Sequence, residues 1–176
     1  MAANTSNITR FPRTYEVQDS ITRLANATQY GDGDILSDHA TVPTAAGYFT
    51  LDFKTQSQGY GSVRLTDFTL HKSDLDETAA DFDILLFTTL PTLANLDDNA
   101  ACAITDAEMK ECKGVVRFVN GSWSNVVLGN IQTVSQEIGI VMGDASSIVY
   151  GVVVLQGTYT PASGEIFTLT VKGMME

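Results

Sequence analysis

Residues 47–56 (GYFTLDFKTQ) alternate, with Phe49, Leu51 and Phe53 on one side and Thr50, Asp52 and Lys54 on the other. That is the period of a strand with one wet face. Residues 14–19 (TYEVQD) alternate in the same way through Tyr15 and Val17. In residues 61–72, Val63 and Leu65 share one parity while Phe68 and Leu70 share the other, so a one-residue bulge near Thr66 is needed to keep all four in a core. Residues 82–90 (FDILLFTTL) form a nearly continuous apolar run ended by Pro91, the pattern of an internal strand. Ile35 and Leu36 begin a short strand, and further strands are predicted over 114–120, 123–128, 131–134, 137–142, 147–156 and 165–171.

Turn chemistry separates these segments. Gly31-Asp32-Gly33-Asp34, 57–61, Asn120-Gly121, Gly129-Asn130, Gly143-Asp144, Gly157 and 161–164 combine glycine, which accepts positive φ, with residues that cap their own turns. Thr105 followed by Glu108 has capping-box spacing, which predicts about two helical turns over 105–112, closed by Gly114. Many short strands with turns about every 8–12 residues predict an all-β antiparallel sandwich or closed barrel with one short helix.

Composition agrees. The chain has 176 residues, with 21 Thr, 15 Val and only 4 Pro, a mixture that favours pleated surfaces over long helices. Its length fits one domain, placed at 14–176, and needs no disulfide scaffold. Residues 1–13 are polar, contain Pro12, and carry Arg10 and Arg13 without an acid, so they read as an N-terminal arm.

Charge narrows the function. Ten Lys and Arg face 21 Asp and Glu, a formal net charge of −11. Residues 67–111 hold eleven of the acids against Lys72 and Lys110, so that segment alone contributes 2 − 11 = −9. A chain of this sign is repelled by phosphate backbones and shows no concentrated basic face, so no nucleic-acid partner is expected. No run reaches the roughly 18 apolar residues of a membrane span and the N-terminus lacks the apolar core of a signal peptide, so the protein is expected to stay in the cell that makes it. In that reducing compartment Cys102 and Cys112 are expected to be free thiols, and their spacing matches no tight metal-ligand pattern.

Candidate chemistry is sparse. His39 follows Asp38, and His71 sits near a strand end beside Lys72, but no nucleophile elbow accompanies either. Two histidines 32 positions apart do not make a metal pair, and no cofactor is expected. The acids of residues 31–34 and 96–99 could offer oxygen ligands to calcium, yet neither has EF-hand spacing, and solvated turns are the simpler reading. Trp123, with Tyr30, Tyr48, Tyr60, Tyr150 and Tyr159, could stack sugars on a sandwich, which makes a glycan-binding or host-adhesion module the alternative function. A depolymerase would need paired carboxylates about 5–9.5 Å apart, a geometry that sequence does not reveal.

Three blocks nevertheless carry a resemblance. Residues 22–35 (TRLANATQYGDGDI) form the first; 82–87 (FDILLF), Pro91, 98–101 (DNAA), 105–108 (TDAE) and 114–116 (GVV) form the second; 148–154 (IVYGVVV), 157–161 (GTYTP) and 165–169 (EIFTL) form the third. In this order the chain resembles a family of small tailed-phage virion proteins whose members with an assigned role are capsid decoration, or cement, proteins. The departures are Leu24, where the family often has proline, and the two cysteines. The resemblance implies a jelly roll, a non-enzymatic role, a homotrimer, the major capsid protein as partner, and a place on the outer surface of a virion assembled in the host cytoplasm. It carries over no catalytic residue. In that setting Arg10 and Arg13 become candidate contacts to acidic capsid loops.

Overall fold

The computed structural model describes residues 13–38, 47–53, 62–74, 81–92, 96–127, 129–141 and 147–175. Ten strands and one helical turn follow in the order β1 (Arg13–Thr22), β2 (Ile35–Leu36), β3 (Phe49–Asp52), β4 (Ser62–Lys72), β5 (Asp81–Phe87), α1 (Asp106–Met109), β6 (Cys112–Phe118), β7 (Ser124–Val126), β8 (Gly129–Val141), β9 (Ile148–Gln156) and β10 (Ile166–Met175). All strand pairs are antiparallel. One sheet has the order β1-β10-β4-β8-β7, and the other β2-β9-β5-β6 with β3 also on β9.

The pairings are nested. β1 pairs with β10, β3 with β9, β4 with β8, and β5 with β6, so the chain runs out and back as one long antiparallel ribbon. Because successive rungs of that ribbon fall in alternate sheets, it wraps on itself into a two-layered jelly roll. The inward-facing residues of both layers form one core that includes Phe49, Phe68, Phe82, Phe118 and Phe167, all fully buried.

The bulge required by the parity of β4 is present. Asp67 faces Lys172 and Leu65 faces Gly173, which leaves Thr66 as the extra residue and keeps Val63, Leu65, Phe68 and Leu70 inside. β5 is apolar from Ile84 to Phe87 because both its faces are covered there. Phe82, Ile84 and Leu86 enter the main core, while Leu85 and Phe87 join Ile35, Tyr48, Leu96 and Val152 in a second cluster on the outer side of the sheet.

Several expectations are corrected. The capping box forms, with the Thr105 hydroxyl and Glu108 carboxylate each capping the other's backbone, but α1 makes a single turn before β6 begins at Cys112. The strands expected at 131–134 and 137–142 are, as far as Val141, one strand, β8, since its ladder with β4 continues past the irregularity opposite Thr66. The strand expected over 47–56 is described only at Phe49–Asp52, and β10 runs beyond Val171 to Met175. β1 starts at Arg13, opposite Met175, and continues to Thr22. Arg10, His39, Tyr60 and the turns at 57–61 and 143–144 lie outside the described residues.

Candidate functional site: one locked end of the sandwich

The connections β1–β2, β6–β7 and β9–β10 gather at one end. Tyr30 and Tyr159 link two of them, since each backbone N–H donates to the other's carbonyl, at 2.8 and 3.3 Å. The Phe82 ring carries the link to the third, with centroids 5.5 Å from Tyr159 and 5.9 Å from Trp123.

Each paired tyrosine ends in a buried ionic group. Tyr30 donates its hydroxyl to Asp98 Oδ1 at 2.5 Å and accepts from Arg23 Nε at 2.6 Å. The Arg23 guanidinium also donates to Asn26 Oδ1 at 2.8 Å, to the Thr28 carbonyl at 3.2 Å, and to the Asn26 carbonyl. Asp98 further accepts the Ser37 N–H at 3.0 Å, which ties residue 98 to the chain leaving β2. On the other side, Tyr159 donates to Glu165 Oε2 at 2.6 Å, with the fully buried Lys72 ammonium 3.9 Å from Glu165 Oε1. Arg23 is 2% exposed and Lys72 0%, so both cations lie inside the protein, Arg23 among hydrogen-bond acceptors and Lys72 beside the Glu165 carboxylate.

This is where the resembling motif residues converge. Arg23, Tyr30 and Asp98 come from two blocks far apart in sequence and meet in one network. The turns at 31–34 and 96–102 also meet: Ile35 N–H donates to the Ala100 carbonyl, Asn99 N–H to the Ile35 carbonyl and Cys102 N–H to the Gly33 carbonyl, each at 2.9 Å. Their acids are engaged, since Asp32 Oδ1 accepts the Gly157 N–H at 2.8 Å and Asp34 Oδ2 the Gly31 N–H at 2.5 Å. The side-chain amide of Asn99, with its nitrogen toward Asp34, donates to Oδ2 at 3.2 Å. Among the described residues no three His, Cys, Asp or Glu side chains converge to hold a metal ion.

The other candidates are dispersed. His71 lies on β4 opposite Thr168 of β10 and Ile131 of β8, in a row of hydroxyl and apolar side chains on the outer face of the sheet. Cys102 and Cys112 are free and half-buried at the border of the second cluster. Tyr30, Tyr48 and Tyr159 are buried, and Trp123 packs against Phe82 and Phe118, so the described aromatics do not share one exposed platform. Arg117, on the outer face of β6, instead grips Asp83 with two parallel bonds of 2.7 and 2.6 Å.

Burial pushes the carboxyl groups of Asp98 and Glu165 above their ordinary values of 3.8 and 4.5, despite the opposing hydrogen bonds and cations. The native state therefore binds these two protons at higher pH than the unfolded chain does. Their contribution to stability rises as pH falls toward the ordinary carboxylate range. Glu108 acts in the opposite sense, because backbone N–H groups of Thr105 and Thr92 hold it down at about 2. Asp67 is likewise lowered, first by the Ser135 hydroxyl and then by Thr66. Their contributions are present above the ordinary values of 4.5 and 3.8 and are lost below them. Calorimetry should thus find the unfolding midpoint rising from neutral pH toward about 5 and falling below about 4. Asp98→Asn with Glu165→Gln should flatten the upper limb only; an unchanged upper limb would refute the assignment.

The sequence matches no protein-family model and no curated protein. Solved structures to which the chain is similar include a chain of the native Kashmir bee virus virion, with 10% identity, 92% of this chain and 70% of that one covered, and a TM-score of 0.40. A decameric BFDV capsid protein is 9% identical over 94% of this chain and 97% of its own, with a TM-score of 0.32. A chain of the empty turnip yellow mosaic virus head is 12% identical over 95% and 82%, with a TM-score of 0.30. At such identities and scores the likeness adds nothing to what this chain's own strand order establishes, an antiparallel jelly roll.

Proposed function

We propose that the chain is a virion structural protein, and specifically that it decorates a phage capsid from outside, binding major capsid subunits and copies of itself. The observation that carries this reading is the fate of the motif residues. Arg23, Tyr30 and Asp98 are consumed in a buried network that fixes loops, so the most distinctive positions of the chain serve shape rather than reaction. A protein whose work is to hold neighbours in place needs rigid loops on a stable scaffold, and a trimer gains further because its second and third contacts to a lattice are effectively intramolecular. The jelly roll and the resemblance to decoration proteins are in keeping with that role.

The test is to add the purified protein to expanded heads that lack it and measure bound copies by cosedimentation. Saturable binding at a fixed number of copies per head is expected. Heads that remain bare would overturn the reading. In the same assay Arg10→Glu with Arg13→Glu is expected to weaken binding by about tenfold, as reversal of charges facing acidic loops would do; unchanged occupancy would remove the arm from the contact.

A further inference from the structure

Lys72 ends β4 with its side chain turned inward. Its cross-strand neighbours are Phe167 of β10 and Asn130 of β8, and directly opposed residues share a face, with Cβ atoms about 4.5–5.5 Å apart. The amine and the Asn130 carboxamide therefore enter the same interior, and both residues are 0% exposed. Asn130 Nδ2 donates to the Asp74 carbonyl at 3.0 Å, which turns the carboxamide along β4 toward the end of the sandwich. Lys72 reaches the same way, toward Glu165, the residue before β10.

Glu165 completes the group. Its Oε1 lies 3.9 Å from Lys72 Nζ and accepts no hydrogen bond among the described residues, while Oε2 takes the Tyr159 hydroxyl at 2.6 Å. The surroundings are aromatic: Phe82 lies 5.5 Å from Tyr159 and 5.8 Å from Phe167 between ring centroids, and the Tyr159 centroid is 5.4 Å from Nζ. An ion pair in such a place is poor evidence of a gain in stability, because desolvation of both charges opposes their attraction. The three side chains are instead an amine nucleophile, a carboxamide that can be attacked, and a carboxyl that can carry protons, all shut away from water.

We propose that Lys72 and Asn130 become joined by an amide bond between their side chains, formed by the folded protein itself with Glu165 as the proton carrier. The Lys72 ammonium first passes one proton to Glu165 Oε1, which replaces two buried charges by two neutral groups. The Nζ lone pair then attacks Asn130 Cγ, and Glu165 protonates Oδ1 as the carbonyl opens. Glu165 next carries a proton from Nζ to Nδ2. The Cγ–Nδ2 bond breaks, ammonia leaves beside half-buried Asp74, and the Oδ1 proton returns to Glu165, which ends neutral. One C–N bond forms, one breaks, and nothing is oxidised or reduced. Burial first, and the charge of Asp74 in the same sense, favour the neutral acid at Glu165. The bond would staple β4 to β8 in the middle of the larger sheet, and it does not rest on the capsid reading.

Intact-mass spectrometry of the full chain is expected to find it lighter than its sequence by one ammonia, about 17 Da. Tryptic digestion should leave the chain uncut after Lys72 and give one branched peptide holding Lys72 and Asn130. Lys72→Met should restore the sequence mass. Asn130→Asp, with a carboxyl as acceptor, should lose one water instead, about 18 Da. Glu165→Gln, shown to be folded by circular dichroism, should remain unlinked. The wild-type mass decides the matter even where a variant does not fold: a chain at its full sequence mass would overturn the proposal. Ammonia loss that persists in Lys72→Met, which marks ring closure at an asparagine such as that of Asn120-Gly121, would overturn it too. So would a wild-type loss of water, which places the bond on Glu165, and a linked Glu165→Gln would remove Glu165 from the reaction.

Discussion

Arg23→Ala is expected to lose about 3 kcal/mol or more of stability, because several buried acceptors would lose their charged donor at about 1–3 kcal/mol each. Domains of this size are stable by about 5–15 kcal/mol, so the variant should be largely destabilised at moderate urea. The reason is what remains behind. The Tyr30 hydroxyl, which bonds Asp98, would lose the Arg23 Nε donor behind it, and the carbonyl groups of Asn26 and Thr28 would lose theirs. The control is Lys172→Ala. Its partner Glu16 lies 3.6 Å away and both side chains are 58% exposed, so a change below about 1 kcal/mol is expected. Urea denaturation of the two variants measures the contrast, and similar losses would refute the structural role of the buried network.

Gly129→Ala should be damaging for a different reason. Gly129 opens β8 with φ +156°, and an added Cβ would lie 2.2 Å from the Lys72 carbonyl oxygen and 2.8 Å from His71 Nε2. The first of these atoms is backbone in the central strand β4 and cannot swing aside. Overpacking of about 1–3 kcal/mol and backbone strain of about 1–3 kcal/mol combine to an expected loss of about 2–6 kcal/mol. Gly139, further along the same strand, has open space around its added Cβ, so Gly139→Ala should be neutral or slightly stabilising. Equal unfolding midpoints for the two variants would contradict the close approach of β8 to β4.

The pH expectation and the Arg23 expectation meet at Asp98. A carboxyl raised by burial is costly to ionise, yet two hydrogen-bond donors hold it, one of them the Tyr30 hydroxyl that Arg23 also contacts. Its network is therefore better understood as fixing one arrangement of loops than as adding net stability, the use of buried charge that has most physical support.

Alternation of polar and apolar residues was enough to place most strands, because which face of a strand is wet is decided within a few residues of chain. The bulge at Thr66 was legible for the same reason: two parities in one strand admit one local solution. The capping box at Thr105 and Glu108 was legible too, being a contact across a single turn. The length of α1 was not, because β6 claims the chain from Cys112 through pairing with β5.

Long-range pairing decided the rest. Ile35–Leu36 and Phe49–Asp52 read as separate short strands, and only β9 shows them to be two pieces along one edge, opposite 153–154 and 148–151. Sequence alone reads Asp98 as one more acid of a solvated turn and Arg23 as one letter of a motif; the fold buries both on the two sides of the Tyr30 hydroxyl. The sequence by itself determined the extended segments, their wet faces and the overall negative charge, all properties of neighbouring residues. The tertiary structure alone decided which distant charges are paired and buried, because the energy of a buried charge depends on what the rest of the chain brings to it.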